Sequence, residues 1–185
     1  HLSIRRQRQM CIRDRFETAQ LFRKFDPSLR LFAETSGKNA IIVTPNADLD
    51  LAVKDVAYSA FGHAGQKCSA ASLVILVGSV AKSKRFLRQL EDAVKSIHVA
   101  HPQDPMAQMG PVIEAPHGKL LDGLTSLEPG ESWLLEPKKL DDSGKLWSPG
   151  IRLGVRPGSK SHKTEYFGPM PVSYTHLRAH ETEAD

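Results

Sequence analysis

Apolar positions recur at two different periods along this chain, and the alternation between them sets the expected elements. In FETAQLFRKF, Phe16, Ala19, Leu21, Phe22 and Phe25 fall at helical spacing. Asp26-Pro27 closes that helix, because the residue before a proline avoids helical dihedrals. LRLFAE (29–34) alternates and predicts a short strand, and AIIVT (40–44) predicts a buried one rich in β-branched residues. Asp48 is placed to N-cap a helix through about Phe61, with Leu49, Ala52, Val53, Val56 and Ala60 turned inward. SLVILVGS (72–79) is a continuous apolar run, the mark of a strand covered on both faces. AKSKRFLRQLEDAVKSI (81–97) returns to helical spacing through Phe86, Leu87, Leu90, Val94 and Ile97. A helix from about Ala115, a strand over SWLLEP (132–137) and a strand at IRLGV complete the series. Strands alternating with helices predict an α/β fold.

The two ends do not share this patterning. HLSIRRQRQMCIRDR (1–15) and VSYTHLRAHETEAD (172–185) have no clean period. Both resemble translated sequencing adapter, so both are set aside as artefact and expected to be disordered. The chain between them, 16–171, then reads as an internal fragment. Charge alone would have made the ends a basic arm and an acidic tail. Setting them aside removes six Arg and four acidic residues and lowers the net charge from +4 to +2. The basic footprint of a nucleic-acid binder disappears with them, so no nucleic-acid partner is expected. Cys11 goes as well, leaving Cys68 without a disulfide partner, which suits a reducing cytoplasm. No apolar run approaches the ~20 residues of a membrane span.

Three short segments could carry chemistry. FAETSGKNA ends a strand with Glu34 before a Gly-containing turn. FGHAGQKCSA holds Cys68 in a loop bracketed by Gly62 and Gly65, and TEYFGP holds Glu165. Taken singly, Glu34 and Glu165 read as solvated surface carboxylates and Cys68 as core filling. Together they resemble the aldehyde dehydrogenase superfamily. AETSGKNA is similar to that family's Glu-x-Gly-Gly-Lys-Asn/Ser segment, AFGHAGQKCSA to its Gly-Gln-x-Cys loop, and EYFGP to its Glu-aromatic-Phe-Gly-Pro segment. The 34-residue separation of Glu34 and Cys68 matches the family's spacing, and MGPVI follows in order. AETSGKNAIIV, the loop with Ser69 after the Cys, and FETAQLFRKFDPSLRLFAE most resemble L-glutamate γ-semialdehyde (pyrroline-5-carboxylate) dehydrogenases, including those of bifunctional proline-utilisation enzymes.

The resemblance implies a fold, a reaction and a set of roles. The fold is mainly an incomplete catalytic domain (34–171) preceded by the C-terminal end of a Rossmann-like NAD-binding domain (16–33). The reaction is NAD-dependent oxidation of an aldehyde to a carboxylate, through a Cys thiohemiacetal and a thioester. Cys68 would be the nucleophile and its backbone N–H an oxyanion donor. Glu34 would be the general base that activates water. Glu165 would bind a ribose hydroxyl of NAD with Phe167 packed near it, and Ser69 would contact the small-molecule aldehyde. The complete protein is expected to be a homo-oligomer. Ser36 stands where the family has Gly, and only FETA remains of the family's Gly-rich cofactor segment. The family's oxyanion Asn, adenosine-binding Lys and anchoring loop have no counterpart, so the fragment alone is expected to be inactive.

Other classes stay open at this level. A Cys-His hydrolase would need a partner among His63, His98, His101, His117 and His162, and no spacing selects one. A metal site is not expected, since one Cys and scattered His show no ligand spacing. A different aldehyde dehydrogenase subfamily, or a non-catalytic α/β scaffold in which Cys68 is core packing, completes the alternatives.

Overall fold

The computed structural model describes residues 10–12, 16–35 and 37–176, and the chain divides into two compact units, 1–37 and 38–185. In the first unit, strand β1 (Met10–Ile12) pairs in parallel with β2 (Leu31–Ala33), and helix α1 (Phe16–Phe25) lies between them in sequence. The helix forms where the apolar spacing predicts it. Ala19 is buried and Phe22 half-buried, but Leu21 and Phe25 are exposed, so the expected inward face is narrower than the sequence suggests. A unit with one two-stranded ribbon has little apolar surface to offer a helix. The disorder expected over 1–15 does not hold for Met10–Ile12. An open strand edge such as that of β2 pairs with any extended segment beside it. Residues 1–9 and 13–15 lie outside the described residues.

The second unit is built on a five-stranded sheet of order β3-β4-β7-β6-β5. Its strands are β3 (Ala40–Val43), β4 (Leu73–Val77), β5 (Ser132–Leu135), β6 (Ile151–Val155) and β7 (Val172–His176). Every pairing is parallel except β5 with β6. Leu73, Val74 and Leu76 of β4 are buried, as a parallel strand covered on both faces requires. Helix α2 (Leu49–Phe61) starts at Asp48, whose carboxylate accepts from the backbone N–H of Asp50 and Leu51 at 3.0 and 3.1 Å. Its buried face is Val53, Val56, Ala60 and Phe61. Helix α3 (Lys84–Lys95) is capped by Ser83 and buries Phe86, Leu90 and Val94. It begins later than the apolar spacing implies because residues 78–82 wind as a 3₁₀ turn. Helices α4 (Gly118–Thr125) and α5 (Lys160–Lys163) complete the unit.

The disorder expected for 172–185 is corrected at its start. Residues 172–176 form β7, which fills the ladder between β4 and β6. Val172 and Ser173 are buried. Without this strand, β4 and β6 would each present an open edge in the middle of the sheet. The side chains of 174–176 and all of 177–185 lie outside the described residues. The α/β class agrees with the expectation from sequence, but β3 is not the buried strand that AIIVT predicts: it is an edge strand in which Val43 is buried and Ile42 exposed.

Candidate functional site

Helix α2 ends in the FGHAGQKCSA loop, and the loop's backbone is unusual. His63, Ala64 and Gly65 are consecutive residues at positive φ (55°, 53° and 68°), a region that disfavours side chains. At Gly65 the requirement is absolute. A Cβ there would press on the Gly168 carbonyl oxygen and lie 2.7 Å from its carbon. The chain then closes a turn, with Ala70 N–H donating to the Lys67 carbonyl at 3.0 Å. Cys68 and Ser69 stand at its tip, both exposed, and Cys68 is a free thiol. Within this chain Cys68 fills no core. Ala70 and Ala71 beside it carry the burial instead.

Three other segments converge on this loop. From the turn before β3, the Asn39 side-chain amide donates to the Cys68 carbonyl at 2.5 Å and to the Ala70 carbonyl at 3.2 Å. From the loop itself, Gln66 Nε2 donates to the Phe167 carbonyl at 3.2 Å. Gln66 Oε1 accepts from Ile113 N–H, in the MGPVI segment, at 2.9 Å. Lys38 Nζ donates to the Thr164 carbonyl at 2.8 Å and lies 5.3 Å from the centre of the Tyr166 ring. Within the second unit, hydrogen bonds thus join Asn39 to the thiol turn, Gln66 to Phe167 and Ile113, and Lys38 to Thr164.

Glu165 and Phe167 sit on the segment so held, and both are half-buried. Phe167 has φ +58°, a conformation a bulky side chain adopts only when its surroundings impose it. Tyr166 between them is buried and flanked by two cations, Lys38 on one side and Arg152 at 5.4 Å. Arg152 is itself 1% exposed. Its Nη1 donates to Glu131 at 3.0 Å and to Ser161 Oγ at 2.7 Å, and its Nη2 to the carbonyls of Gly123 and Ser126. Ser161 in turn meets the Tyr166 hydroxyl at 3.1 Å. Burial pushes the Lys38 ammonium down to about 8, with Arg152 and Lys119 adding repulsion and Glu165 and Glu131 opposing it.

Glu34 belongs to the other unit. It follows β2 directly and is exposed. Ser36 lies outside the described residues. His98 pairs with Asp104 at 2.7 Å and His101 with Asp141 at 3.1 Å, both at the surface. Among the described residues no three His, Cys, Asp or Glu side chains gather as a metal site, and no helix is long and apolar enough to cross a membrane.

Lys38, Asn39, Gln66, Tyr166 and Arg152 are the residues that sequence reading passed over. Four of them stand inside the quoted motifs, within five residues of Glu34, Cys68 or Glu165. Arg152 had one signal, as the lone charge in the apolar run IRLGV.

Comparison with known proteins gives consistent matches. The profile described as "Aldehyde dehydrogenase family" matches residues 19–181. The 1-pyrroline-5-carboxylate dehydrogenase of Bacillus subtilis (strain 168) is 38% identical over 146 residues, covering 76% of this chain and 27% of that protein. The chain thus spans about a quarter of the length of the curated relatives it matches. Among solved structures, Proline Utilization A (PutA) from Corynebacterium freiburgense superposes with a TM-score of 0.85 at 55% identity, covering 91% of this chain and 17% of that one. Betaine aldehyde dehydrogenase from Staphylococcus aureus, solved with NAD+, gives a TM-score of 0.82 at 25% identity, with coverages of 91% and 35%.

Proposed function

The chain belongs to the aldehyde dehydrogenase family, and we propose that it forms the thiol-bearing part of an NAD(P)-dependent dehydrogenase that oxidises an aldehyde to a carboxylate. The observation that carries this reading is the exposed Cys68 at a turn tip whose backbone Asn39 fixes and whose loop is tied to the Glu165–Phe167 segment. L-glutamate γ-semialdehyde is the proposed substrate, supported by the pyrroline-5-carboxylate dehydrogenase and PutA relatives. The activity is proposed for a protein of the relatives' length that carries these residues, and the 185 residues alone are expected to be inactive.

Each residue has a distinct task in this reading. Cys68 Sγ forms a bond to the aldehyde carbon, and the carbonyl oxygen takes up negative charge that the Cys68 N–H stabilises. When bound, NAD(P) supplies the two-electron acceptor for the hydride that leaves that carbon. Cys68 then carries a thioester. Glu34 removes a proton from water, the water oxygen attacks the thioester carbon, the C–S bond breaks, and the carboxylate departs. Thiolate suits the role because it is both a strong nucleophile and a good leaving group. Ser69, next to Cys68 on the exposed turn, is proposed to touch the substrate.

The residues present fit the nicotinamide side of the cofactor. A half-buried carboxylate, Glu165, can accept from a ribose diol, and the partly open Phe167 ring offers an apolar face beside it. Both stand on a segment locked from two directions by Lys38 and Gln66. A reducing cytoplasm is the proposed location, supported by the free thiol of Cys68.

The deciding experiment is Cys68→Ala in the dehydrogenase containing this segment. NADH formation should vanish, while NAD binding persists. Retained turnover would remove Cys68 from the reaction. Comparing kcat/KM for L-glutamate γ-semialdehyde with other semialdehydes tests the substrate. A preference for another aldehyde would assign a different subfamily.

A further inference from the structure

We infer that Gln66 is a positioning residue that sets the cofactor-side segment against the nucleophile loop, so that its loss weakens cofactor binding without disabling the thiol. The inference rests on the cofactor role proposed for Glu165 and Phe167. Gln66 stands two residues before Cys68, and its side-chain amide is spent in both directions. Nε2 donates to the Phe167 carbonyl at 3.2 Å, and Oε1 accepts from Ile113 N–H at 2.9 Å. An amide is the group that can do both at once, since it carries donor and acceptor on one plane.

The partner it holds is the strained one. Phe167 sits at φ +58°, and Gly65 next to Gln66 lies against the backbone of Gly168 next to Phe167. The two loops therefore touch backbone to backbone at one point and are pinned by one side chain at the adjacent point. Strain at a non-glycine residue persists only where neighbours over-determine it. Gln66 is the neighbour that binds the strained residue's own carbonyl. If that bond is lost, Phe167 is free to relax to negative φ, which re-aims both its ring and Glu165 two residues earlier. Cys68 keeps its separate tether to Asn39.

Gln66→Glu isolates the donor. The variant keeps the shape and the acceptor for Ile113 N–H, but sets a carboxylate oxygen against the Phe167 carbonyl. In the dehydrogenase containing this segment, the Kd for NAD should rise about 10- to 100-fold, the range expected when a bonded group is left facing a like partner. The rate at which iodoacetamide alkylates Cys68 without cofactor should stay within about twofold, because the Asn39 tether is intact. The Kd defect should shrink as pH falls and the new carboxyl gains a proton it can donate. An unchanged Kd for NAD in Gln66→Glu would overturn the inference, and so would equal losses of NAD binding and thiol reactivity, which mark general loop collapse. Should Gln66→Glu fail to fold, Gln66→Met removes both hydrogen bonds without adding charge, and the same split between Kd and alkylation decides. Glu165→Gln serves as the reference. If it leaves the Kd unchanged too, the cofactor reading has failed, whereas a raised Kd there with a normal one in Gln66→Glu sinks the role of Gln66 alone.

Discussion

Asn39 holds the backbone of Cys68, with its side-chain amide 2.5 Å from the Cys68 carbonyl oxygen. The same amide reaches the Ala70 carbonyl, and the Asn39 carbonyl accepts from Ser72 and Leu73 N–H at 3.0 Å each. One residue ahead of β3 therefore grips both the thiol turn and the entry to β4 at Ser72 and Leu73. The turn tip can be exposed and still be fixed, which is what an exposed nucleophile requires.

This clamp predicts an order among variants at Asn39. Asn39→Ala leaves two carbonyls without their donor and should cost about 1–2 kcal/mol in urea unfolding. Asn39→Asp should cost more, because it points a carboxylate at the same two oxygens. An Asp variant as stable as the native protein would show that the amide does not carry the turn.

Gly65 and Gly158 separate strain from collision. Both have positive φ, +68° and +78°, but a Cβ at Gly158 would meet nothing within 4 Å, while one at Gly65 would strike the Gly168 backbone. Gly158→Ala should cost about 1 kcal/mol through conformation alone. Gly65→Ala should cost roughly 3 kcal/mol or more, since backbone cannot step aside as a flexible side chain does. Paired thermal melts check the difference. Equal costs would mean that the two loops part easily.

The elements of the second unit were largely readable from local pattern. Asp48, the Val53–Val56–Ala60 face and the apolar run at Leu73–Val77 each obey a rule that acts within a few residues. The thiol loop was readable in part, because Gly65 marks a backbone at positive φ, whereas His63 and Ala64 share that conformation without any signal in residue type. Pairing across the chain was not. Gln66 meets Phe167 across 101 residues and Asn39 meets Cys68 across 29, and no periodicity encodes such partners. Strand β7 was missed for a different reason. Residues 172–176 were set aside by their resemblance to adapter, yet they pair with both β4 and β6 and bury Val172 and Ser173. Leu21 and Phe25 show the converse, apolar residues at correct helical spacing that the first unit leaves exposed.

Arg152 predicts a large single loss and a partial recovery. The Arg152 and Glu131 side chains are 1% and 2% exposed and 3.0 Å apart. Arg152→Met would strand the Glu131 charge in the core and release the carbonyls of Gly123 and Ser126, costing about 3–5 kcal/mol. The double variant Arg152→Met with Glu131→Leu should recover part of that, because no buried charge remains. The Gly123 and Ser126 carbonyls stay unpaired, so recovery should be incomplete. A double variant no more stable than the single one would mean that the carbonyls, not the ion pair, dominate.

Lys38 gives the second unit a pH dependence of predictable sign. Its ammonium is faced by the Thr164 carbonyl and the Tyr166 ring, with Arg152, Lys119, Glu165 and Glu131 acting on its charge. Burial first, then Arg152, lowers its folded pKa to about 8, below the ordinary lysine value it regains on unfolding. Between about pH 8 and 10.4 the unfolded chain holds the extra proton, so Lys38 adds stability as pH rises through that window. Below pH 8 both states are charged, and the native state carries the whole desolvation cost. Other groups titrate in the same range, so the comparison is with Lys38→Met, in which they are unchanged. The native protein should gain on this variant by roughly 2 kcal/mol between pH 7 and pH 10, at up to ~1.4 kcal/mol per pH unit. Urea unfolding of both proteins across that range measures the gap. Parallel stability curves would mean that Lys38 stays protonated beside Thr164 throughout.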